Sequence, residues 1–257
     1  MHNGAIMPSE VRHRVATDQA FPLVQLAGVL DRDTAPEMRS ALLDVLAGQP
    51  EAVVVDVADL SLAEPADAGA LRELREETAD WPAARLALSD PHDPARWRTT
   101  GLPVWPSAAD AFAQLGRPDH DHRLALTLEP EVGAARRSRE TISDACDRWD
   151  RADLAGSACI VVTEMVNNVV AHARTSMVVL LAVRDGGLAV AVRDDSPRAP
   201  SFTGAPAPTS YGGRGMLLID SVATRWGSLP LADGKVVWAL LGGGKNDDDG
   251  MPASTMR

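Results

Sequence analysis

The chain has 257 residues, 45% of them hydrophobic, and a formal net charge of −11 at pH 7. This length predicts one large or two medium domains, and the apolar content excludes general disorder. The acidic balance disfavours direct binding to nucleic acid and to anionic membrane surfaces. No apolar run approaches the roughly 20 residues of a membrane span, and the N-terminus lacks the apolar core of a secretory signal. Together with two cysteines outside any metal-binding pattern, these features predict a cytoplasmic protein.

The N-terminal half alternates strand patterns with helical patterns. Residues 1–19 lack an apolar period and are predicted to be a flexible tail. Strand patterns cover 21–28, 52–57 and 84–90, and helical patterns separate them. A short strand and a helix capped by Ser107 end this region near Gly116. The alternation predicts a small α/β domain over residues 20–116.

The C-terminal half begins after a polar stretch, 117–123, which contains glycine and proline and is predicted to be a linker. A second domain is predicted over 124–242, followed by a disordered polar tail over 243–257. Its predicted elements are a strand (124–130), two helices (132–149 and 152–173), a hairpin (176–193), a glycine loop leading into a helix (212–227) and a last strand (234–241).

The predicted helix 152–173 carries a polar stripe on an otherwise apolar surface. Glu164, Asn168 and His172 follow one another at i, i+4 steps, which places them on one face of a helix. Buried polar groups cost free energy unless something pairs with them. The stripe therefore predicts partners for these three side chains elsewhere in the chain or in a ligand.

A glycine loop supplies groups suited to phosphate. Gly213, Arg214 and Gly215 immediately precede a helical pattern. Glycines let the backbone approach a ligand closely, and free N–H groups at a helix start favour anions. The pattern predicts a phosphate site, in which the Arg214 side chain either contacts phosphate or faces solvent.

Three acceptor side chains complete the candidate chemistry. Asp194 ends an apolar strand, where its carboxylate can accept a hydrogen bond from an exocyclic amine. Asn168 offers a neutral oxygen that Mg²⁺ accepts alongside phosphate oxygens. Glu164, one helical turn earlier, can act as a general base for a hydroxyl or a water.

Four motifs resemble, in this order, the ATPase superfamily of gyrase, Hsp90, histidine kinases and MutL, and within it the anti-sigma-factor kinases. They are EMVNN (164–168), VRDDSP (192–197), GGRGMLLID (212–220) and GKVVW (234–238). The resemblance covers residues 124–242 and implies a Bergerat-type α/β sandwich that binds ATP and Mg²⁺. It implies that Glu164 is catalytic, that Asn168 holds Mg²⁺ and that Asp194 binds the adenine amine. It also implies that Gly213 and Gly215 hold phosphates.

Residues 20–116 resemble the anti-anti-sigma, or STAS, fold, which implies a mixed sheet with helices. In that family a strand ending in aspartate is followed by Asp-Ser-Ser-Gly at a helix start, and the second serine accepts phosphate. Aligned without gaps from Asp56, this chain has Glu64-Pro65-Ala66-Asp67 there. Since Ala66 has no hydroxyl, the resemblance implies a degenerate STAS domain.

Together these likenesses imply a two-domain α/β (α+β) protein that acts by partner switching. Such an ATP-binding regulator sequesters a sigma factor or phosphorylates a serine on a separate STAS protein. The serine-less domain would then be a docking or dimerising module, which makes a homodimer one expected assembly. The alternative is a non-catalytic nucleotide sensor or scaffold in which the STAS domain docks on the ATPase domain. Whether the chain is an ATP-dependent protein serine kinase stays open at this point.

Overall fold

The computed structural model describes residues 10–119, 121–197 and 214–242. The chain divides into two compact units: the first ends at Asp121 and also includes Pro230–Val236, and the second begins at His122. Each unit is built on a five-stranded sheet. The predicted fold class, a mixed sheet with helices followed by an α/β sandwich, is confirmed.

The first unit has a mixed sheet with the strand order β1-β2-β3-β4-β5. The strands are β1 (Val11–Ala16), β2 (Leu23–Leu30), β3 (Ala52–Leu62), β4 (Arg85–Ser89) and β5 (Val104–Trp105). Strand β1 is antiparallel to β2, and the remaining neighbours are parallel. The helices are α1 (Ala35–Leu46), α2 (Gly69–Glu77) and α3 (Ala108–Leu115), with short 3-10 helices at Pro65–Ala68 and Pro94–Thr100.

Strand β3 forms the centre of this unit. Its first four residues, 52–55, are all buried, as is typical of a strand covered on both faces. Val54 packs with Ala87 of β4 and with Ala111 of α3. Ser107 caps α3 as predicted, because its hydroxyl accepts a hydrogen bond from Asp110 N at 3.1 Å.

The prediction of a flexible tail over residues 1–19 is wrong for residues 11–16, which form β1. Their side chains are exposed except for Val11, which is buried, and Ala16, which is half-buried. An edge strand that exposes polar side chains on both faces has no apolar period, so the sequence pattern gave no strand signal.

Asp90 directly follows β4 and is completely buried. Its carboxylate holds the loop that comes after the strand. Its carboxylate accepts hydrogen bonds from His92 N (2.9 Å), Asp93 N (3.3 Å) and Trp97 Nε1 (2.8 Å). Arg96 Nε forms an ion pair with Oδ2 at 2.8 Å. Burial alone raises the pKa of Asp90, but these hydrogen bonds and the Arg96 charge outweigh it and hold the pKa below its ordinary value.

Replacing Asp90 by asparagine is predicted to lower the free energy of unfolding by about 3 kcal/mol at neutral pH, because it leaves Arg96 without its buried partner. Chemical denaturation measures this loss, and Asp33→Asn, at an exposed position, is the matched control. Since the pKa of Asp90 is lowered in the folded state, its contribution is complete above the ordinary aspartate pKa of about 4. It is lost as the pH falls through the folded-state value, so native and variant chains should converge in acid. A constant difference down to that range would contradict the assignment.

The second unit has the strand order β6-β7-β8-β10-β9. The strands are β6 (Arg123–Leu128), β7 (Met177–Arg184), β8 (Gly187–Asp194), β9 (Arg225–Leu231) and β10 (Gly234–Gly242). The helices are α4 (Ala134–Arg148), α5 (Ala152–Asn168) and α6 (Arg214–Val222). The three helices share one core with the sheet, in which Ile142, Val166 and Ile219 pack with Val190 of β8.

Strand β9 was not predicted, because the helix before it was expected to reach Gly227. Gly227 and Pro230 interrupt any alternation in this stretch. Strand β9 lies at the edge of its sheet, which is where a proline without an N–H is tolerated.

Helix α5 with the turn that follows it, Ala152–Ala173, is long and apolar enough to cross a membrane by length and composition alone. This finding differs from the sequence prediction that no apolar run approaches the length of a membrane span. The core helix of a folded protein passes the same test, and Val161, Val162 and Val166 are completely buried in the second unit. Packing inside this unit accounts for the buried face of the helix, which is 33% of the apolar window.

Candidate functional site

The end of α5 carries two of the predicted site residues. Glu164 and Asn168 are half-buried and lie one turn apart in the last turns of the helix. Among the described residues, the Glu164 carboxylate makes no hydrogen bond or ion pair. A half-buried carboxylate that makes no hydrogen bond with the described residues is available to accept a proton from a ligand.

The polar stripe does not continue to His172 as the sequence predicted. After Asn168 the chain forms a wider π-helical turn, Val169–Ala173, in which Arg174 N bonds to Val169 O at 2.7 Å. Arg174 then ends the turn with a left-handed φ of 58°. His172 is exposed in this turn, so the half-buried part of the stripe consists of Glu164 and Asn168 alone.

The start of α6 lies directly against this end of α5. A Cβ atom placed on Gly215 would overlap Oε2 of Glu164 and would lie 3.3 Å from its Cδ. Only a residue without a side chain fits this position while Glu164 keeps its rotamer. The next residue, Met216, is buried, and its Sδ lies 3.7 Å from Nδ2 of Asn168.

This contact orients the Asn168 carboxamide. Because Nδ2 faces Met216, Oδ1 is the atom left to accept, and no described residue donates a hydrogen bond to it. A half-buried amide oxygen of this kind is a suitable hard donor for Mg²⁺. Among the described residues, no group of three or more His, Cys, Asp and Glu side chains could hold a metal ion.

Two consecutive aspartates at the end of β8 have different environments. Asp194 is buried, lies opposite Met177 of β7, and accepts a hydrogen bond from Ser196 N at 2.8 Å. Asp195 is exposed, and Thr175 and Ser176 hold it through contacts of 3.2 Å each. The buried carboxylate is thus the one that the sequence preferred as a ligand.

The predicted phosphate loop is described from Arg214 onward, and Gly213 lies outside the described residues. Arg214 is the first residue of α6, and its side chain is not described. That Asn168 and Asp194 converge on one ligand stays a prediction.

Sequence reasoning missed Met216, Thr175 and Ser176. Each acts through a tertiary contact with a predicted site residue or its neighbour. The only signal for Met216 was its place directly after Gly215, where an apolar side chain reads as ordinary core.

Comparison with known families matches residues 125–239 to the histidine kinase-like ATPase domain. The C-terminal half of the chain therefore contains a domain of this class, which confirms its recognition from the four motifs.

The N-terminal region resembles two solved structures. One is an anti-sigma factor antagonist from Mycobacterium paratuberculosis, with 21% identity, 40% of this chain and 92% of that chain covered, and a TM-score of 0.34. The other is a point variant of RsbS from Moorella thermoacetica, with 17% identity, 40% and 94% covered, and a TM-score of 0.33. Comparison with curated proteins gives no match.

The contact between Gly215 and Glu164 predicts non-additive substitutions. Gly215→Ala should be about 1 kcal/mol less favourable in the native chain than in a Glu164→Ala background, because only the native chain has a carboxylate to displace. Denaturation of the four chains of the double-mutant cycle measures this coupling. Gly156→Ala is the matched control, since its added methyl would meet nothing within 4 Å. Additive Gly215 and Glu164 effects would show that α6 does not pack as described.

Proposed function

We propose that this chain is a cytoplasmic ATP-binding regulator that acts by partner switching on a sigma factor or on a separate STAS-domain protein. The match of residues 125–239 to the histidine kinase-like ATPase domain carries the proposal, because that domain class implies ATP binding. The likeness of the N-terminal region to anti-sigma regulators agrees with this class of function. No direct nucleic-acid or membrane partner belongs to the proposal.

In this proposal Mg-ATP would lie between the end of α5, the start of α6 and the end of β8. The Asn168 oxygen would be the protein ligand of Mg²⁺, with phosphate oxygens and water completing the shell, as is usual for this ion. The close approach of Gly215 to Glu164 places the first turn of α6 beside that carboxylate. The N-terminal turn of a helix is a favourable place for anions. The buried Asp194 would accept a hydrogen bond from the exocyclic amine of adenine.

The bound nucleotide supplies the phosphoryl group, and the chain supplies position and electrostatics. Asn168 and the N–H groups at the start of α6 would fix the phosphates. Glu164 would receive the proton of an acceptor serine hydroxyl at its free carboxylate. Met216 would keep the Asn168 oxygen turned away from the protein by occupying its nitrogen.

The acceptor serine would belong to another protein. Ala66 is exposed at the start of the 3-10 helix that precedes α2, and it has no hydroxyl to modify. The neighbouring Asp67 is not a free negative group, because its Oδ2 accepts from Glu64 N at 2.8 Å and closes the helix start. This local bond favours a capping role for Asp67 over mimicry of a phosphoserine.

A second candidate is a nucleotide sensor without phosphoryl transfer. The missing hydroxyl at position 66 favours it, because the N-terminal unit then has no phosphorylation cycle at that turn. In this version ATP sets only which conformation binds the partner. The two candidates share the nucleotide site and differ in whether Glu164 acts as a base.

Mg-ATP is predicted to stabilise the chain by about 2.7 kcal/mol at a hundredfold excess over its Kd. Asp194→Asn should largely remove this stabilisation, because the amide oxygen would accept from Ser196 N and leave the NH2 group, a donor, facing the adenine amine. Thermal denaturation with and without Mg-ATP measures the nucleotide-dependent shift, and Asp195→Asn is the exposed control. An equal shift in the Asp194 variant and the native chain would remove Asp194 from the site.

Glu164→Ala is predicted to slow phosphoryl transfer by about 10²-fold or more while ATP binding persists, since a general base contributes that much. Transfer of label from ATP to purified STAS proteins measures it, with Glu129→Ala, at an exposed position, as control. Unchanged transfer in Glu164→Ala would refute the base assignment. Full nucleotide stabilisation without transfer to any STAS protein would favour the sensor.

A further inference from the structure

Strand β1 lies at the edge of the first sheet, and no described strand pairs with its outer side. Val29 N donates to Glu10 O at 3.2 Å, and Val11 lies opposite Gly28. In an antiparallel pair, residues that bond to the neighbour alternate with residues that do not. The N–H and C=O groups of residues 12 and 14 therefore point to β2, and those of residues 11, 13 and 15 point to the open edge.

The same edge carries a concentrated positive charge. Arg12, His13 and Arg14 are exposed and make no hydrogen bond or ion pair with any described residue. Since strand side chains alternate between faces, the two arginines stand on one face, roughly 7 Å apart. This basic strand belongs to a chain whose net charge is −11, so it differs sharply from the average surface.

We propose that the open edge of β1 binds an extended acidic segment of a partner protein, which adds a strand to the sheet. The backbone groups of residues 11, 13 and 15 would pair with the segment, as in other cases of strand addition. Arg12 and Arg14 would select segments with glutamate or aspartate at every second position, because that spacing matches one face of a strand.

A second copy of the chain is a poorer occupant of this edge. Antiparallel pairing of two β1 strands about His13 would place Arg12 of each copy opposite Arg14 of the other. Parallel pairing in register would place each arginine beside its own equivalent. Like charges directly opposite one another destabilise strand pairs, whereas an acidic segment replaces every such repulsion with an attraction.

The test uses the full chain and two short synthetic peptides of equal composition and charge. In one peptide three glutamates alternate with threonine, and in the other two threonines separate each glutamate from the next, so that successive glutamates lie on opposite faces of a strand. Fluorescence anisotropy should show that the alternating peptide binds about tenfold more tightly or better, because only its acids reach both arginines on one face. Hydrogen exchange should show new protection at the amides of residues 11, 13 and 15.

Two kinds of variant separate the backbone from the charges. His13→Pro removes an N–H that points to the open edge and spares the ladder to β2, so it should abolish peptide binding with little loss of stability. The double variant Arg12→Glu, Arg14→Glu should also abolish peptide binding. The control double variant Arg72→Glu, Arg98→Glu, at exposed positions outside β1, should leave peptide binding intact. A denaturation curve for each variant verifies that it folds.

Several results would overturn the proposal. No binding of either peptide would mean that the charges only protect the edge from aggregation. Equal binding of both peptides, or equal competition by an oligonucleotide, would indicate a general polyanion surface. A homodimer that His13→Pro dissociates would make the second copy the occupant. Binding of the alternating peptide that survives His13→Pro would exclude strand addition.

Discussion

The candidate site depends on how closely α6 can approach α5, and that distance depends on the missing side chain of Gly215. A methyl group there would overlap the Glu164 carboxylate. The approach brings Met216 to Asn168 and so fixes which atom of the carboxamide is free. The absent Cβ atom therefore leaves room for the present rotamer of Glu164, and the next residue, Met216, contacts Asn168. A larger residue at position 215 would have to displace the end of the half-buried Glu164 side chain.

The first unit has a well-bonded loop after β4 and an alanine at position 66, where the side chain carries no hydroxyl. After β4, the Asp90 carboxylate accepts hydrogen bonds from two backbone N–H groups, an indole and a guanidinium. Rearranging that loop is costly because it would break these bonds. Ala66 is exposed at the start of the 3-10 helix before α2. Four hydrogen bonds to one carboxylate thus hold the loop, whereas position 66 offers no hydroxyl.

Sequence periodicity predicted the elements that bury one face or two. The helical spacing of Glu164 and Asn168 and the apolar strand before Asp194 were sufficient to name those residues. Two of the four edge strands were missed, because β1 exposes side chains on both faces and β9 contains Gly227 and Pro230. The π turn after Asn168 and the contact of Met216 were also missed, since each depends on tertiary packing that leaves no periodic signal.

The register between β7 and β8 decides which of two adjacent acids the core contains. Met177 lies opposite Asp194, and the pairing runs without a break to the tight turn at Asp185 and Gly186. Because a strand repeats every second residue, a slip by one position would turn Asp195 inward and Asp194 out to solvent. A one-residue change of register at that turn would therefore exchange the two carboxylates at the opposite end of the hairpin. The connection between two strands acts, in this sense, as a distant determinant of site chemistry.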